Sequence, residues 1–336
     1  MTKVQAQETY AEKLGYPKGA RIIILHVDDA GMSWDSNKGT RDAIDRGMAN
    51  SFSVMMPCPW VPAIVRYIKQ TPTSDAGLHL TLTSEWHDYR WGPLMGKPAV
   101  PGLVDPEGCL WRSVDQVVKN ASPDEVEAEI RAQIDRALTM GFEPTHLDSH
   151  MGTLFADPDF LQRYIKVGAE YEIPVMFPGG HNTVLREEYR MEVMHELKKS
   201  GKWKDGMDVP VPEILDQAPG VGQKVWSMGL PVLDDLHNIS YGWGFPSELE
   251  PTDENIQKFY TGKYLESFKM LQPGLTLVLM HCTHPSEIFD SISSSGVRRK
   301  GDLLAMMDPK LKNYIEKEGI ILTTWKEVME RRKAIK

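Results

Sequence analysis

Short, almost uninterrupted apolar runs alternate along this chain with stretches in which apolar residues recur every three or four positions. The clearest run is RIIILHV at residues 21–27, β-branched and nearly continuous, the pattern of a parallel strand covered on both faces. Similar runs at residues 51–56, 76–82, 145–147, 173–177, 275–280 and 319–323 bring the expectation to about seven strands. Between them, residues 123–140 carry a complete helix signature. Ser122 is the N-cap, Pro123 the first helical residue and Glu125 the capping-box partner, while Val126, Ile130, Ile134, Ala137 and Leu138 form one apolar face before Gly141 ends it. A second helix opens at Asp157 with Pro158, burying Phe160, Leu161, Tyr164 and Ile165, and a third is expected from about residue 186 to 200. Weaker helical patterns follow Asp35, Trp60, Asp253, Asp302 and Thr324.

Strand and helix repeat without a break in composition, which predicts one α/β domain from residue 21 to 336, closed or nearly closed into a (β/α) barrel of parallel strands. Two Trp-, Pro- and Gly-rich segments, 85–120 and 202–251, interrupt the rhythm and are expected as long loop insertions. Residues 1–20 read as a polar leader.

With 336 residues, 41% hydrophobic and 25% charged, the chain can bury a large core. A net charge of −9 with scattered basic residues argues against a nucleic-acid partner and favours a neutral or cationic small substrate. The sequence has no apolar run of membrane-spanning length, and the leader has no signal-peptide core. Two locations stay open, the cytoplasm or export with the signal already absent, and a homodimer is compatible with everything above. The three cysteines, Cys58, Cys109 and Cys282, have unrelated spacings and read as free thiols rather than a disulfide framework or a zinc site.

The candidate chemistry sits where expected strands end. Asp28 and Asp29 follow the first run, His79 lies near the end of AGLHLTL, His150 closes THLDSH, and His281 and His284 follow LTLVLM. In parallel α/β folds this edge gathers sequence-distant side chains into one site. Neighbouring carboxylates in extended chain point opposite ways unless a turn redirects them, and Gly31 offers the turn. One can then bind a metal while the other takes a proton from water, although an isolated Asp pair more often caps a helix. One Asp with two His is an oxygen and nitrogen set suited to Zn²⁺, with Co²⁺, Ni²⁺ or Mg²⁺ as alternatives. Either imidazole alone more often marks a satisfied buried histidine. His146, Asp148 and His150 alternate at period two and share a face; Asp148 can orient an imidazole and His146 can simply be buried. His281 or His284 could protonate a leaving amine.

Together these residues resemble the YdjC-like carbohydrate deacetylases, relatives of the polysaccharide deacetylases. ILHVDDAGMS is similar to that family's NADDFGLS opening after a hydrophobic run, GLHLTLT to its GxHLxLT, PTHLDSHMG to PTHLDSHxH, and the later His284-Pro285 to its HP. The resemblance runs from about residue 21 to 285. It implies a distorted (β/α) barrel and one divalent metal ion on Asp29, His79 and His150. It further implies Asp28 as the base that activates water and His284 or His281 as the acid, with removal of N-acetyl from an amino sugar or short oligosaccharide. His26 and Ala30 stand where the family commonly has Asn and Phe, and Met151 and Thr153 where histidines often follow. Trp86, Tyr89 and Trp91 are expected to stack on sugar faces, against the alternative that they only pack the long loop. Rival functions are a metal-dependent amidase or imide hydrolase on a non-sugar, a carbohydrate-binding protein without catalysis, and, less well matched, a metal-dependent sugar isomerase.

Overall fold

The computed structural model describes residues 8–335. Seven parallel strands form one sheet: β1 (Arg21–Ala30), β2 (Ser51–Val54), β3 (Ala76–Leu80), β4 (Leu147–Ser149), β5 (Asp235–His237), β6 (Gly274–Met280) and β7 (Ile321–Leu322). Their order is β4-β3-β2-β1-β6-β5, and β7 pairs with the opening residues of β1. β1 and β6 are apolar along almost their whole length because both faces are covered, so they were plain in the sequence. Asn50 fills the fork where β7 leaves β1 and β2 joins it, accepting from Leu25 N and donating to Thr323 O.

The curl from β4 round to β5 is bridged by an irregular segment. Residues 173–177 were expected as a full strand, but the chain there makes only single parallel bridges, Val175 to Leu147 and, just beyond, Pro178 to Leu233. Pro174 and Pro178 lack the N–H a regular ladder needs, which accounts for the break. The result is the distorted (β/α) barrel that the sequence led us to expect.

Thirteen α-helices among the described residues surround the sheet: α1 (Tyr10–Lys13), α2 (Trp34–Asp45), α3 (Val61–Gln70), α4 (Val114–Asn120), α5 (Pro123–Thr139), α6 (Pro158–Glu170), α7 (Thr183–Lys199), α8 (Glu213–Ser227), α9 (Asp253–Ser267), α10 (Glu287–Ile292), α11 (Gly296–Met306), α12 (Pro309–Lys317) and α13 (Trp325–Ala334). α5 has the expected Ser122–Glu125 capping box, with Val126, Ile130, Ile134 and Ala137 fully buried. None of these helices is long and apolar enough to cross a membrane.

Two expectations need correction. Residues 202–251 are not a structureless loop, since they hold α8 and β5. DLH carries no apolar run, so β5 was invisible to periodicity. The polar leader contributes α1, whose first backbone N–H groups at Tyr10 and Ala11 donate to the buried Asp234 carboxylate. Tyr16, Ala11 and Leu14 join a second core cluster with Ile22, Ile24 and Leu275. Residues 1–7 lie outside the described residues.

Candidate metal and catalytic centre

Strands β4, β3, β1 and β6 deliver the site, with β2 between β3 and β1. At the end of β1 the pairing with β2 shifts between Val27 and Ala30, and Asp29 adopts a left-handed backbone (φ 64°) that a non-glycine residue holds only under local strain. That kink defeats the alternation of an extended strand. Asp28 Oδ2 and Asp29 Oδ2 consequently lie 3.9 and 3.8 Å from the same atom, His281 Nε2.

The register of β3 against β4 places His79 beside Asp148, and the His79 Nδ1–H donates to Asp148 Oδ1 at 2.5 Å. His150 follows β4 and donates from Nε2 to Glu85 Oε2 at 3.1 Å. Both rings are thereby oriented by a carboxylate, and their other nitrogens converge. His79 Nε2 and His150 Nδ1 are 3.1 Å apart, at 3.4 and 3.6 Å from Asp29 Oδ1. Asp29 Oδ1 is buried and has no hydrogen-bond partner among the described residues. An orphan carboxylate oxygen facing two imidazole nitrogens, all three residues buried, is a donor set that fits a divalent cation. Tight overlap of the same kind occurs in Asp28, His79 and Asp148 and in His26, His146 and Asp148, so the centre is one continuous cluster of imidazoles and carboxylates.

Its electrostatics are strongly coupled to burial. Burial opposes charge on Asp29, but Arg299, His281, His150 and His79 outweigh it and hold the carboxyl far below the usual carboxylate range. Arg299 Nη1 donates to Asp29 Oδ2 at 2.6 Å, with both side chains buried. Burial likewise opposes charge on His79, yet Asp28, Asp148 and Asp29 raise its pKa to about 10. His26 behaves alike: burial is outweighed by Asp148 and Asp28, each 3.0 Å from Nε2, and the pKa rises to about 9. His281 goes the other way, since burial and then Arg299 push it well below the ordinary imidazole value. The Tyr241 hydroxyl donates to His281 Nε2, and Asp302 holds the His281 backbone N–H.

The structure gathers Asp28, Asp29, His79, His150, Asp148 and His281 into this centre. It does not bring His284 there. His284 Nε2 pairs with Asp42 Oδ2 of α2 at 2.6 Å, and its backbone N–H donates to Asp35 O, so the loop after β6 turns it away from His281. Gly39 permits that arrangement, because a Cβ there would meet Cys282 O at 2.4 Å. His146 is fully buried and stacked on Trp325. Of the three aromatics expected to meet sugar, Trp91 is interior, while Trp86 and Tyr89 remain part-exposed. Trp91 is only 4% exposed and donates to Thr83 O, while Trp86 and Tyr89 pack edge-on against it. Tyr89 is also tied by its hydroxyl to Met32 O.

Sequence reasoning missed Arg299, Glu85 and Tyr241. A signal existed for the first: Arg299 and Asp302 share the buried stripe of α11 with Leu303 and Met306, where unpaired charges do not belong. Glu85 stands just past GLHLTLT, at a strand end. Tyr241 had no such signal.

A parallel half-closed barrel with imidazoles and carboxylates at its C-terminal edge defines a class of α/β protein with a buried, metal-competent centre. The sequence model described as YdjC-like protein matches residues 22–317, and the chain belongs to that family. It is 34% identical over 159 residues to a carbohydrate deacetylase of Brevibacillus brevis, covering 46% of this chain and 59% of that protein. A carbohydrate deacetylase of Thermus thermophilus is 35% identical over 167 residues, 50% of this chain and 57% of that one. The chain thus spans somewhat over half the length of these two relatives. One from Thermoanaerobacter pseudethanolicus is 22% identical over 91% of this chain and 98% of its own. Among solved structures, an Enterococcus faecalis protein named for cellobiose-phosphate cleavage superposes with a TM-score of 0.67 at 18% identity, covering 92% of this chain and 99% of that one, which speaks to the fold.

Proposed function

We propose that this protein is a metal-dependent hydrolase that removes the N-acetyl group of an amino sugar or short oligosaccharide. The observation that carries the reading is the buried Asp29 Oδ1, unpartnered among the described residues, facing His79 Nε2 and His150 Nδ1, with a second carboxylate, Asp28, within 4 Å of His79 and His281. The names of the curated relatives support the carbohydrate substrate. Asp29, His79 and His150 would hold the ion, which when bound would supply Lewis-acid polarisation of the amide carbonyl and of water. Zinc suits two imidazoles and a carboxylate best.

The chain's own residues then divide the proton work. Asp28 takes a proton from the attacking water, and the amide nitrogen must gain one to leave as an amine. Two imidazoles, His79 and His281, lie within 4 Å of both carboxylates, and with His79 assigned to the ion, His281 is the one left to hand the nitrogen its proton. Arg299 keeps Asp29 ionised and fixes one of its oxygens, leaving the other free.

The test is acetate release from N-acetylglucosamine, its short β-1,4 oligomers and a non-sugar N-acetyl amide, after chelation and with Zn²⁺, Co²⁺ or Mg²⁺ restored. Metal-dependent release from sugars alone is expected. Release from the non-sugar alone would transfer the assignment to an amidase. Asp29→Ala should lose metal and turnover together, whereas Asp28→Asn should keep the metal and lose turnover.

A further inference from the structure

Nine tryptophans occur in the sequence; two are buried and five are part-buried. The two that remain open are Trp34, 48% exposed, and Trp60, 43% exposed. They touch each other, with ring centroids 5.5 Å apart and planes inclined at 47°. Exposed aromatics scattered singly need no explanation, but two large rings held together in water form an apolar patch that the fold does not use.

Their position ties them to the catalytic centre. Trp34 is the first residue of α2, five positions after Asp29, and its place is fixed by the Ser33 N-cap, whose hydroxyl accepts from Ser36 N. Trp60 precedes α3 at the end of the β2 loop, and its backbone N–H donates to Gly31 O. Asn37 locks the two loops into one piece: its Oδ1 accepts from Gly31 N at 2.6 Å, and its Nδ2 donates to Trp60 O at 3.0 Å. The backbones that carry the two rings therefore leave the C-terminal ends of β1 and β2 within a few residues of Asp29 and are fixed to one another.

We infer that Trp34 and Trp60 form a stacking platform for a second pyranose ring of the substrate, next to the unit whose acetyl group is cleaved. This rests on the deacetylase reading and narrows it to oligosaccharides. Pyranose rings present an apolar C–H face, and an inclined aromatic pair offers two such contacts without any charged group. Trp91, which is interior, cannot fill that role, and Trp86 and Tyr89 are less open than this pair.

The test uses Trp34→Ala, Trp60→Ala, their double variant and Trp60→Phe. Binding of N-acetylglucosamine and of its β-1,4-linked disaccharide and trisaccharide is measured calorimetrically on metal-free protein, alongside kcat and KM of the metal-loaded enzyme. The expected result is disaccharide binding about tenfold weaker in the double variant, the size of one or two aromatic contacts, with KM raised, kcat kept and monosaccharide binding unchanged. Trp60→Phe should recover most of the loss. Equal weakening for monosaccharide and disaccharide, or none for either, would overturn the platform, as would sedimentation showing that the double variant dissolves a dimer built on this face. If wild-type protein binds by chain length through these residues yet releases no acetate, the platform stands and the hydrolase reading falls.

Discussion

Asp148→Asn separates orientation of a ligand from ligation itself. Asp148 is buried, accepts the His79 Nδ1–H at 2.5 Å and lies 3.0 Å from His26 Nε2, but it is not one of the three residues whose ligand atoms, Asp29, His79 and His150, converge. An amide oxygen in its place still accepts from His79, though without the charge that makes such a bond about twice as strong. The His79 ring then loses both its rotational lock and part of its basicity. Loss of a partner behind a metal-binding imidazole typically lowers metal affinity ~10–100-fold, which is about 1.4–2.7 kcal/mol. The assay is a chelator-competition titration of apo-protein with Zn²⁺ or Co²⁺, with the thermal midpoint as a folding control and kcat read at saturating metal. Affinity should fall within that range while kcat at saturation falls less. Wild-type affinity in a folded Asp148→Asn protein would refute the orienting role. A loss as complete as in Asp29→Ala would instead make Asp148 a direct ligand.

His281→Ala should lower kcat by about 10²–10⁴, as removal of a positioned proton donor does, whereas His284→Ala should leave kcat within about twofold and change stability by less than about 1 kcal/mol, since its pair with Asp42 is part-exposed; steady-state kinetics and urea unfolding of the two variants check this. His26 has its pKa raised from 6.5 to about 9 in the folded protein, so its ion pairs contribute about 3 kcal/mol in full below pH 6.5, and that contribution fades as pH rises through 9. The stability gap between wild type and His26→Asn should accordingly shrink from pH 6.5 to 9 in urea titrations; a gap independent of pH would contradict it. Gly77→Ala places a Cβ 2.4 Å from His146 Nε2, on a ring held between Trp325 and His26, and should cost at least about 1–3 kcal/mol by urea unfolding. Gly262→Ala in α9, where nothing lies within 4 Å of the new Cβ, should gain up to about 1 kcal/mol.

How much of this was readable in the sequence follows from what each residue is asked to do. Strands covered on both faces are continuous apolar runs, so β1, β2, β3 and β6 could be seen, and the residues at their ends pointed to the centre. β5 could not be seen because its polar residues are consumed inside: Asp235 caps α7 by accepting from Val184 N and Leu185 N, and the neighbouring Asp234 caps α1. A carboxylate serving a helix over 50 or 220 positions away in sequence looks like a loop residue. Arg299 was missed for the same reason, since its partner Asp29 is 270 residues distant. The choice between His281 and His284 was equally beyond the sequence. Both follow β6 within four residues, and only the packing of α2 against that loop decides which one faces Asp28. Aromatic content misled in the opposite direction. Trp91 sits in a Gly- and Pro-rich segment that reads as exposed, yet its indole N–H is satisfied by Thr83 O and its rings are interior.

The centre and the register of the sheet are one object. His79 and Asp148 are direct Cα partners of β3 and β4, and His26 is paired with Ser51 of β2, whose hydroxyl meets its Nδ1 at 2.9 Å. Side chains alternate with period two, so a slip of one residue in β3 would turn His79 toward the helices and leave Asp148 and Asp29 facing each other. The polar interior thus penalises wrong registers far more than an apolar barrel would, because each slip strands buried charges. Only Asp29 departs from the rule, and it does so through a left-handed backbone that the strand itself disfavours. The ion pair with Arg299 and the imidazoles around it supply the compensation. Strain at Asp29 is therefore sustained by the same contacts that prepare its free oxygen, and weakening Arg299 should relax the backbone and the site together.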